Sequence, residues 1–115
     1  MSKLFTAGEL AKIAGVSSRT IRFYDEKGIL KPCGYSEGEY RLYDEEAILR
    51  LQQILMFKYV GFSLDEIARL MNPDEKIDVG SMLDKQKELM SRKRWQIDQI
   101  IYALDKAKES CLEEH

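Results

Sequence analysis

The clearest features in the pattern of apolar and polar residues are helix starts. Three times an apolar residue precedes a Ser or Thr and another apolar residue follows five positions after the first, which is the hydrophobic staple of a helix N-terminus. The instances are Phe5-Thr6 with Leu10, Val16-Ser17 with Ile21, and Phe62-Ser63 with Ile67. Glu9 and Glu66 complete capping boxes with Thr6 and Ser63. With glycines 15, 28 and 61 as helix stops, this pattern predicts helices at about 7–14, 18–27, 45–60 and 64–71.

These four helices form two pairs, each joined by a short turn that contains glycine. The turns are residues 15–17 and 61–63. Two helices joined in this way are typical of a helix-turn-helix unit. In the first unit we expect Ile13 and Ala14 to pack against Ile21.

The segment between the two pairs predicts a β-hairpin, or wing. Ile29-Leu30 can form a short strand, and residues 40–43 alternate so that Tyr40 and Leu42 share one face while Arg41 and Tyr43 share the other. Turn-forming residues separate the two strands. We therefore expect a wing whose outer face is basic and aromatic.

A heptad repeat dominates the last third of the chain. After a break at residues 72–75, which include a proline, a helix is predicted over about 79–112. Its proposed dimerisation stripe consists of Leu83, Met90, Ile97, Ile100, Ile101, Leu104, Ala107 and Cys111. A seven-residue apolar repeat is the signature of a coiled coil, and a second copy of the chain is the simplest partner. The predicted fold is all-α with a small β-hairpin wing: a winged helix-turn-helix head over 1–75 and a coiled-coil dimerisation helix over 76–115.

The polarity of this stripe also predicts the orientation of the pair. Gln86 and Lys93 occupy core-type heptad positions in the first half, whereas Ile100 and Ala107 occupy them in the second. A parallel pair would place Lys93 against its own copy, with like charges in the seam. An antiparallel pair sets the polar half against the apolar half, so we expect an antiparallel homodimer.

Charge and composition narrow the function. Among 115 residues the net charge is −2, divided as +1 over residues 1–60 and −3 over the rest, so binding to DNA would depend on a few well-placed cations. The two cysteines lie far apart, which disfavours a disulfide scaffold or a zinc site. Residues 1–5 lack the apolar core of a signal peptide, and no apolar run reaches membrane-spanning length. We expect a cytoplasmic protein with no membrane partner and no cofactor.

The segment 17–24 is the strongest candidate for a nucleic-acid contact. It opens the second helix of the first unit, the position that enters the major groove in helix-turn-helix proteins. Arginine can read guanine, and a free helix N-terminus favours phosphate. We expect Ile21 and Phe23 to point inward. The alternative is an ordinary capped surface helix in which Arg19 and Arg22 are solvated or paired with Asp25 or Glu26.

The wing and the second unit extend this candidate surface. Arg41 and Tyr43 suit phosphate contact, although a plain exposed strand face has the same pattern. Lys58 and Ser63 repeat the arrangement at the second turn, where Ser63 also serves as a cap, and Arg50 can pair with Glu46 on its own helix. The candidate DNA contacts are Thr6, Ser17, Ser18, Arg19, Thr20, Arg22, Tyr24, Tyr40, Arg41, Tyr43, Lys58 and Ser63.

Several strings resemble the MerR family of transcription regulators. Residues 21–30, IRFYDEKGIL, resemble its recognition helix; YRLY at 40–43 resembles its wing, and VGFSLDEI at 60–67 lies within a further similar stretch over 51–71. The resemblance covers about residues 4–71 closely. It implies a winged-helix head, an antiparallel dimerisation helix, and binding to double-stranded promoter DNA whose distorted spacer then engages RNA polymerase.

The resemblance also bears on the effector. Metal-sensing members carry a cysteine near the start of the dimerisation helix and more beyond its end, whereas residues 77–81 here contain none and Cys111 alone cannot build a thiolate site. Cys33 has the default interpretation of a small exposed residue in the wing. The chain therefore resembles members that respond to organic compounds. Those usually carry a further C-terminal ligand domain, so either such a domain is missing or an organic effector is read by the head and coil.

Other function classes fit less well. The single histidine is His115, and no nucleophile–base pair, metal-ligand cluster or phosphate loop is present, so we do not expect an enzyme. A coiled-coil adaptor would not explain why Arg19, Arg22, Arg41 and Tyr43 share the outward positions that we expect for them. A winged-helix DNA-architectural or excision factor without effector response is the main alternative.

Overall fold

The computed structural model describes residues 3–113, and His115 lies outside them. The chain divides into two compact units, one ending at Ile77 and one beginning at Asp78. The first unit contains β1 (Phe5–Thr6), α1 (Ala7–Ala14), α2 (Ser18–Glu26), β2 (Gly34–Tyr35), β3 (Arg41–Tyr43), α3 (Glu45–Tyr59) and α4 (Leu64–Leu70). The second unit is a single helix, α5 (Val79–Glu113).

The predicted helix starts are confirmed. Thr6 caps α1 and Ser63 caps α4, each within a reciprocal capping box that includes Glu9 or Glu66. Ser17 caps α2 by accepting a hydrogen bond from the Thr20 N–H at 3.1 Å. The predicted ends of the four short helices lie within one residue of those observed. Gly15 ends α1 with a φ of 73°, a left-handed conformation that glycine adopts without a Cβ clash.

The wing differs from its prediction in its strands. Its hairpin consists of β2 and β3, and β1 pairs with the other edge of β3, which gives an antiparallel sheet of order β1-β3-β2. The predicted strand at Ile29-Leu30 is wrong. Both N–H groups donate to the carbonyl of Tyr24, at 2.9 and 3.2 Å. These residues therefore satisfy the C-terminal end of α2, and their buried side chains join the core.

The core of the first unit also corrects two predicted orientations. Leu10 and Ala11 of α1, instead of Ile13, supply the buried face that meets Ile21, and Ile13 is exposed. On α2 the buried aromatic residue is Tyr24, only 2% exposed, whereas Phe23 is 43% exposed. A helix advances 100° per residue, so residues 21 and 24 share a face that residue 23 cannot join.

Arg50 ties three segments of the first unit together. Its Nε donates to the carbonyl of Ile29 at 2.6 Å and its Nη2 to the carbonyl of Met71 at 3.3 Å. The suggested pairing with Glu46 is therefore wrong. Because the guanidinium bridges the end of α2 to the end of α4, its role is to fix the first unit.

The heptad stripe of α5 is exposed within the single chain. Ile97 and Leu104 are 55% and 64% exposed, and Leu83, Met90, Ile100 and Ile101 are also exposed. Ala107 and Cys111 are exposed as well. Gln86, at a core-type position, is buried. A search of residues 3–113 finds no helix that combines the length and the apolar character needed to cross a membrane.

Candidate nucleic-acid interface

The N-terminal turn of α2 presents hydroxyl and guanidinium groups on a capped helix end. Ser17 and Thr20 join their side-chain oxygens at 2.9 Å. Ser18 and Arg19 follow the cap directly and are exposed. Such an end offers unsatisfied N–H groups and the positive end of the helix dipole. It can therefore bind a phosphate while the neighbouring side chains reach the bases.

The outward face of α2 consists of Arg19, Arg22, Phe23 and Glu26. All four are exposed, and at 100° per residue they lie opposite Ile21. Arg19 and Arg22 make no side-chain hydrogen bond or ion pair with any residue between 3 and 113. Neither is paired with Asp25 or Glu26, so the alternative of a self-neutralised surface helix does not hold. Both guanidinium groups are available to a ligand.

Arg41 has a protein partner. Its Nε donates to a carboxylate oxygen of Asp25 on α2, and the two side chains are 29% and 15% exposed. This hydrogen bond raises the pKa of Arg41 above its ordinary value. The pair joins β3 of the wing to α2. Arg41 therefore positions the wing in addition to carrying a charge that faces solvent.

Tyr43 lies in the core, which corrects its predicted outward orientation. It is fully buried, and its hydroxyl has no hydrogen-bond partner among the described residues. Burial, reinforced by the nearby Asp25 charge, raises its pKa to about 12. The difference arises because Arg41 and Tyr43 share one face of β3 and Arg41 pairs with Asp25 of α2, so this face is turned toward the helices. Tyr24 is likewise buried, with its pKa raised by burial, so neither ring is accessible to DNA in this conformation.

The tip of the wing is a tight turn that displays Tyr40. The N–H of Ser36 donates to the Tyr40 carbonyl and the N–H of Glu39 to the Ser36 carbonyl, both at 2.9 Å. Glu39 has a φ of 61°, a left-handed conformation that is uncommon outside glycine. The Tyr40 ring lies so close to Gly38 that a Cβ there would meet it at 2.9 Å. This turn leaves Tyr40 72% exposed.

These pieces line one open groove of about 1050 Å³ between the start of α1, the outward face of α2 and the wing. It is lined by Thr6, Ala7, Gly8, Ser18, Arg19, Arg22, Phe23, Glu26, Gly38, Glu39, Tyr40 and Arg41. The structure thus brings together six of the candidate contacts from the sequence. Ser17 and Thr20 lie on the adjoining helix end, whereas Lys58 and Ser63 belong to the second helix pair.

The second helix pair presents a smaller polar end. Lys58 is exposed in the last turn of α3. Ser63 caps α4 by accepting from the Glu66 N–H at 3.2 Å, and the returning hydrogen bond from the Ser63 N–H lowers the pKa of Glu66. The hydroxyl of Ser63 is thus engaged as a cap, and Lys58 is the more accessible of these two candidates.

The cysteines are both exposed free thiols. The Cys33 Sγ donates to the Leu42 carbonyl at 3.4 Å within the wing, and Cys111 lies on α5. Within residues 3–113 no three His, Cys, Asp or Glu side chains converge as metal ligands would.

Two protein-family models match this chain and identify its family. Residues 5–73 match the family described as MerR HTH family regulatory protein, and residues 48–110 match the one described as MerR, DNA binding. The chain belongs to the MerR family. The two matches together extend from β1 into α5, so they cover the groove, the wing and most of the apolar stripe.

Two individual relatives are similar to the chain over most of its length. The chain is 39% identical over 98 residues to the HTH-type transcriptional activator mta of Bacillus subtilis, covering 85% of this chain and 38% of that protein. It is 36% identical over 106 residues to the activator TipA of Streptomyces coelicolor, covering 92% and 42%. The chain thus spans about two fifths of the length of these relatives.

A solved structure extends the agreement to the fold. The N-terminal part of the Bacillus subtilis multidrug transporter activator, MtaN, superposes with a TM-score of 0.81 at 37% identity, covering 90% of this chain and 96% of that one. The mostly helical fold with a small wing and a long C-terminal helix is therefore confirmed.

Sequence reasoning missed Phe23, Glu26, Glu39 and the partner of Arg41. Projecting α2 at 100° per residue from Ile21 would have placed Phe23 and Glu26 outward. The position of Glu39 depends on the conformation of the wing turn, and the Arg41–Asp25 pair depends on how the wing packs against α2. No local pattern marks these features.

Proposed function

We propose that this MerR-family chain binds double-stranded promoter DNA through the groove of the first unit and regulates transcription. The observation that carries the proposal is the pair Arg19 and Arg22 on the outward face of α2, two exposed guanidinium groups that have no hydrogen-bond or ion-pair partner among the described residues. An arginine in the major groove can read guanine through two parallel hydrogen bonds. The capped end of α2 supports a nearby phosphate contact.

The wing supplies the second part of the proposed contact. Tyr40 is displayed at its tip, and Arg41 lies where its strand meets α2. Tyrosine hydroxyls and arginines commonly contact the sugar–phosphate backbone. Since the Asp25 pair fixes Arg41 against the recognition helix, the wing and α2 would approach adjacent positions on the duplex as one body.

We further propose that α5 forms an antiparallel homodimer. Ile97 and Leu104, together with the rest of the stripe, are exposed in the single chain, and helices draw most of their stability from packing such a face. Two heads in one dimer bind two half-sites about one or more helical turns apart. A net charge of −2 gives little non-specific attraction, so two simultaneous contacts also strengthen the affinity.

Regulation would follow from DNA distortion. A dimer that grips both half-sites can bend and untwist the spacer, at a cost of order 1–6 kcal/mol for strong smooth bends, and so present the promoter to RNA polymerase. We place this activity in the cytoplasm, with the nucleoid, where promoter DNA is found. A small organic effector suits the similarity to mta and TipA better than a metal does.

Selection from a random double-stranded DNA library with the purified chain tests the proposal. We expect enrichment of an inverted repeat with a fixed half-site spacing. A variant with Arg19→Ala and Arg22→Ala serves as the matched negative selection, and circular dichroism checks that it is folded. Failure of the unaltered chain to enrich any sequence, or enrichment by the variant of the same repeat, would contradict the proposal.

A further inference from the structure

Phe23 is an apolar ring among the charged side chains on the outward face of α2. It is 43% exposed, whereas the other large apolar side chains of α2, Ile21 and Tyr24, are buried. The exposed part of this ring is apolar surface that a ligand bound in the groove would remove from water. Neither capping nor core packing accounts for this position.

The Phe23 ring is held in its orientation by contacts with neighbouring side chains. Its centroid lies 6.1 Å from that of Tyr24 with the planes tilted by 48°, so the buried ring supports it from one side. The Nζ of Lys27 lies 5.6 Å from the same centroid. The remaining surface of Phe23 lines the groove beside Arg19 and Arg22.

The apolar ring and the neighbouring Glu26 carboxylate favour a base edge over the phosphate backbone as the partner of Phe23. Phe23 lies one helical turn after Arg19 and one turn before Lys27, and the carboxylate of Glu26 is on the same outward face. The carboxylate of Glu26, one turn from Arg22 and three residues from Phe23, repels phosphates. A phenylalanine offers no hydrogen bond, and the one apolar group that a base presents in the major groove is the C5-methyl of thymine.

We propose that Phe23 contacts a thymine C5-methyl group in the major groove and determines specificity at that base pair. The inference rests on the proposed function, since it assumes that α2 enters the major groove. It adds the reading of A·T pairs to the reading of guanine by the neighbouring arginines. In each half-site, Phe23 would contact one thymine methyl group.

Replacing thymine by deoxyuridine removes only that methyl and keeps the base pair. Each thymine of the selected operator is replaced in turn, in both half-sites together, and the dissociation constant is measured for the unaltered chain and for Phe23→Ala. Burying one methyl contributes roughly a fourfold change in affinity, so at one position we expect a loss of roughly 15-fold for the two half-sites. The same replacement should leave the affinity of Phe23→Ala unchanged.

A matched control variant distinguishes loss of the Phe23 contact from the effect of removing any exposed apolar side chain. Leu49→Ala removes an exposed apolar side chain from α3, outside the groove, and should keep the full response to deoxyuridine. A chain that is insensitive to deoxyuridine at every position, or a response that persists in Phe23→Ala, would overturn this inference alone. If the chain bound no DNA at all, the proposed function would fail with it.

Discussion

The dimer makes the most demanding prediction, because the proposed grip on two half-sites depends on it. The perturbation is the double substitution Ile97→Lys and Leu104→Lys in the centre of the α5 stripe. Both side chains are more than half exposed in the single chain, at 55% and 64%. In a two-fold dimer each is expected to lose that exposure, so four apolar side chains are affected.

The magnitude follows from these exposures. Full burial of an Ile or Leu side chain contributes about 1.5–3 kcal/mol. Covering roughly six tenths of each therefore contributes about 1–2 kcal/mol, or about 4–7 kcal/mol for the four in the dimer. At 1.4 kcal/mol per tenfold, the variant should self-associate about three to five orders of magnitude more weakly.

Sedimentation equilibrium over a range of concentrations measures the effect. The unaltered chain should be dimeric at micromolar concentration and the variant monomeric, with weaker DNA binding. Ser91→Lys with Gln99→Lys adds the same charge on the opposite face of α5 and should remain dimeric. A monomeric unaltered chain, or a dimeric Ile97→Lys/Leu104→Lys variant, would refute the assignment of the stripe.

Three further predictions concern the wing and the orientation of the dimer. Tyr43→Phe removes a buried hydroxyl without a partner, so urea denaturation at neutral pH should show no loss, or a gain of about 1 kcal/mol. Since the folded-state pKa of Tyr43 is about 12 and its ordinary value is 10.0, the unaltered chain should lose stability as pH rises from about 10 to about 12, and the variant should lose less; equal pH profiles would contradict this. Arg41→Ala should lower the slope of log affinity against log salt by about 0.9 per half-site, whereas Asp25→Asn should not lower it; the reverse order would show that Arg41 serves only to hold the wing. In an antiparallel seam centred on Ile97, a thiol introduced by Leu83→Cys should form a disulfide with the partner's Cys111, and links solely between equivalent positions would indicate a parallel pair.

Local signals were enough to predict where the helices begin and end. The staple and capping box at Thr6 and Ser63 involve residues within five positions of each other, and their hydrogen bonds form as the pattern indicates. Gly15 likewise ends α1 through its own backbone conformation. These features depend on nearest turns of the chain, so tertiary packing does not alter them.

The orientation of side chains was harder to predict where distant segments compete. Tyr43 became a core residue because its face of β3 turns toward α2, where Arg41 pairs with Asp25. Arg50 took two backbone carbonyls from distant segments in place of a neighbour on its own helix. Alternation within β3 predicted that Arg41 and Leu42 lie on opposite faces, but it could not show which face would turn toward the helices.

The outward face of α2 depends partly on local signals and partly on long-range packing. The cap at Ser17 and the exposed arginines follow from the sequence around the start of α2, whereas the partner of Arg41 depends on how the wing folds back. Asp25, considered as a partner for Arg19 or Arg22, is engaged by the wing instead. Within residues 3–113, Arg19 and Arg22 make no ion pair, and Asp25 pairs with Arg41.

The central claim is that the outward face of α2 reads DNA, and one affinity measurement tests it most directly. The selected operator is titrated with the unaltered chain, with Arg19→Ala/Arg22→Ala, and with Lys85→Ala/Arg92→Ala, which removes the same charge from α5. We expect the first pair to cost about 1–3 kcal/mol per lost base contact and the second to have little effect. Normal operator binding by a folded Arg19→Ala/Arg22→Ala variant would contradict the account.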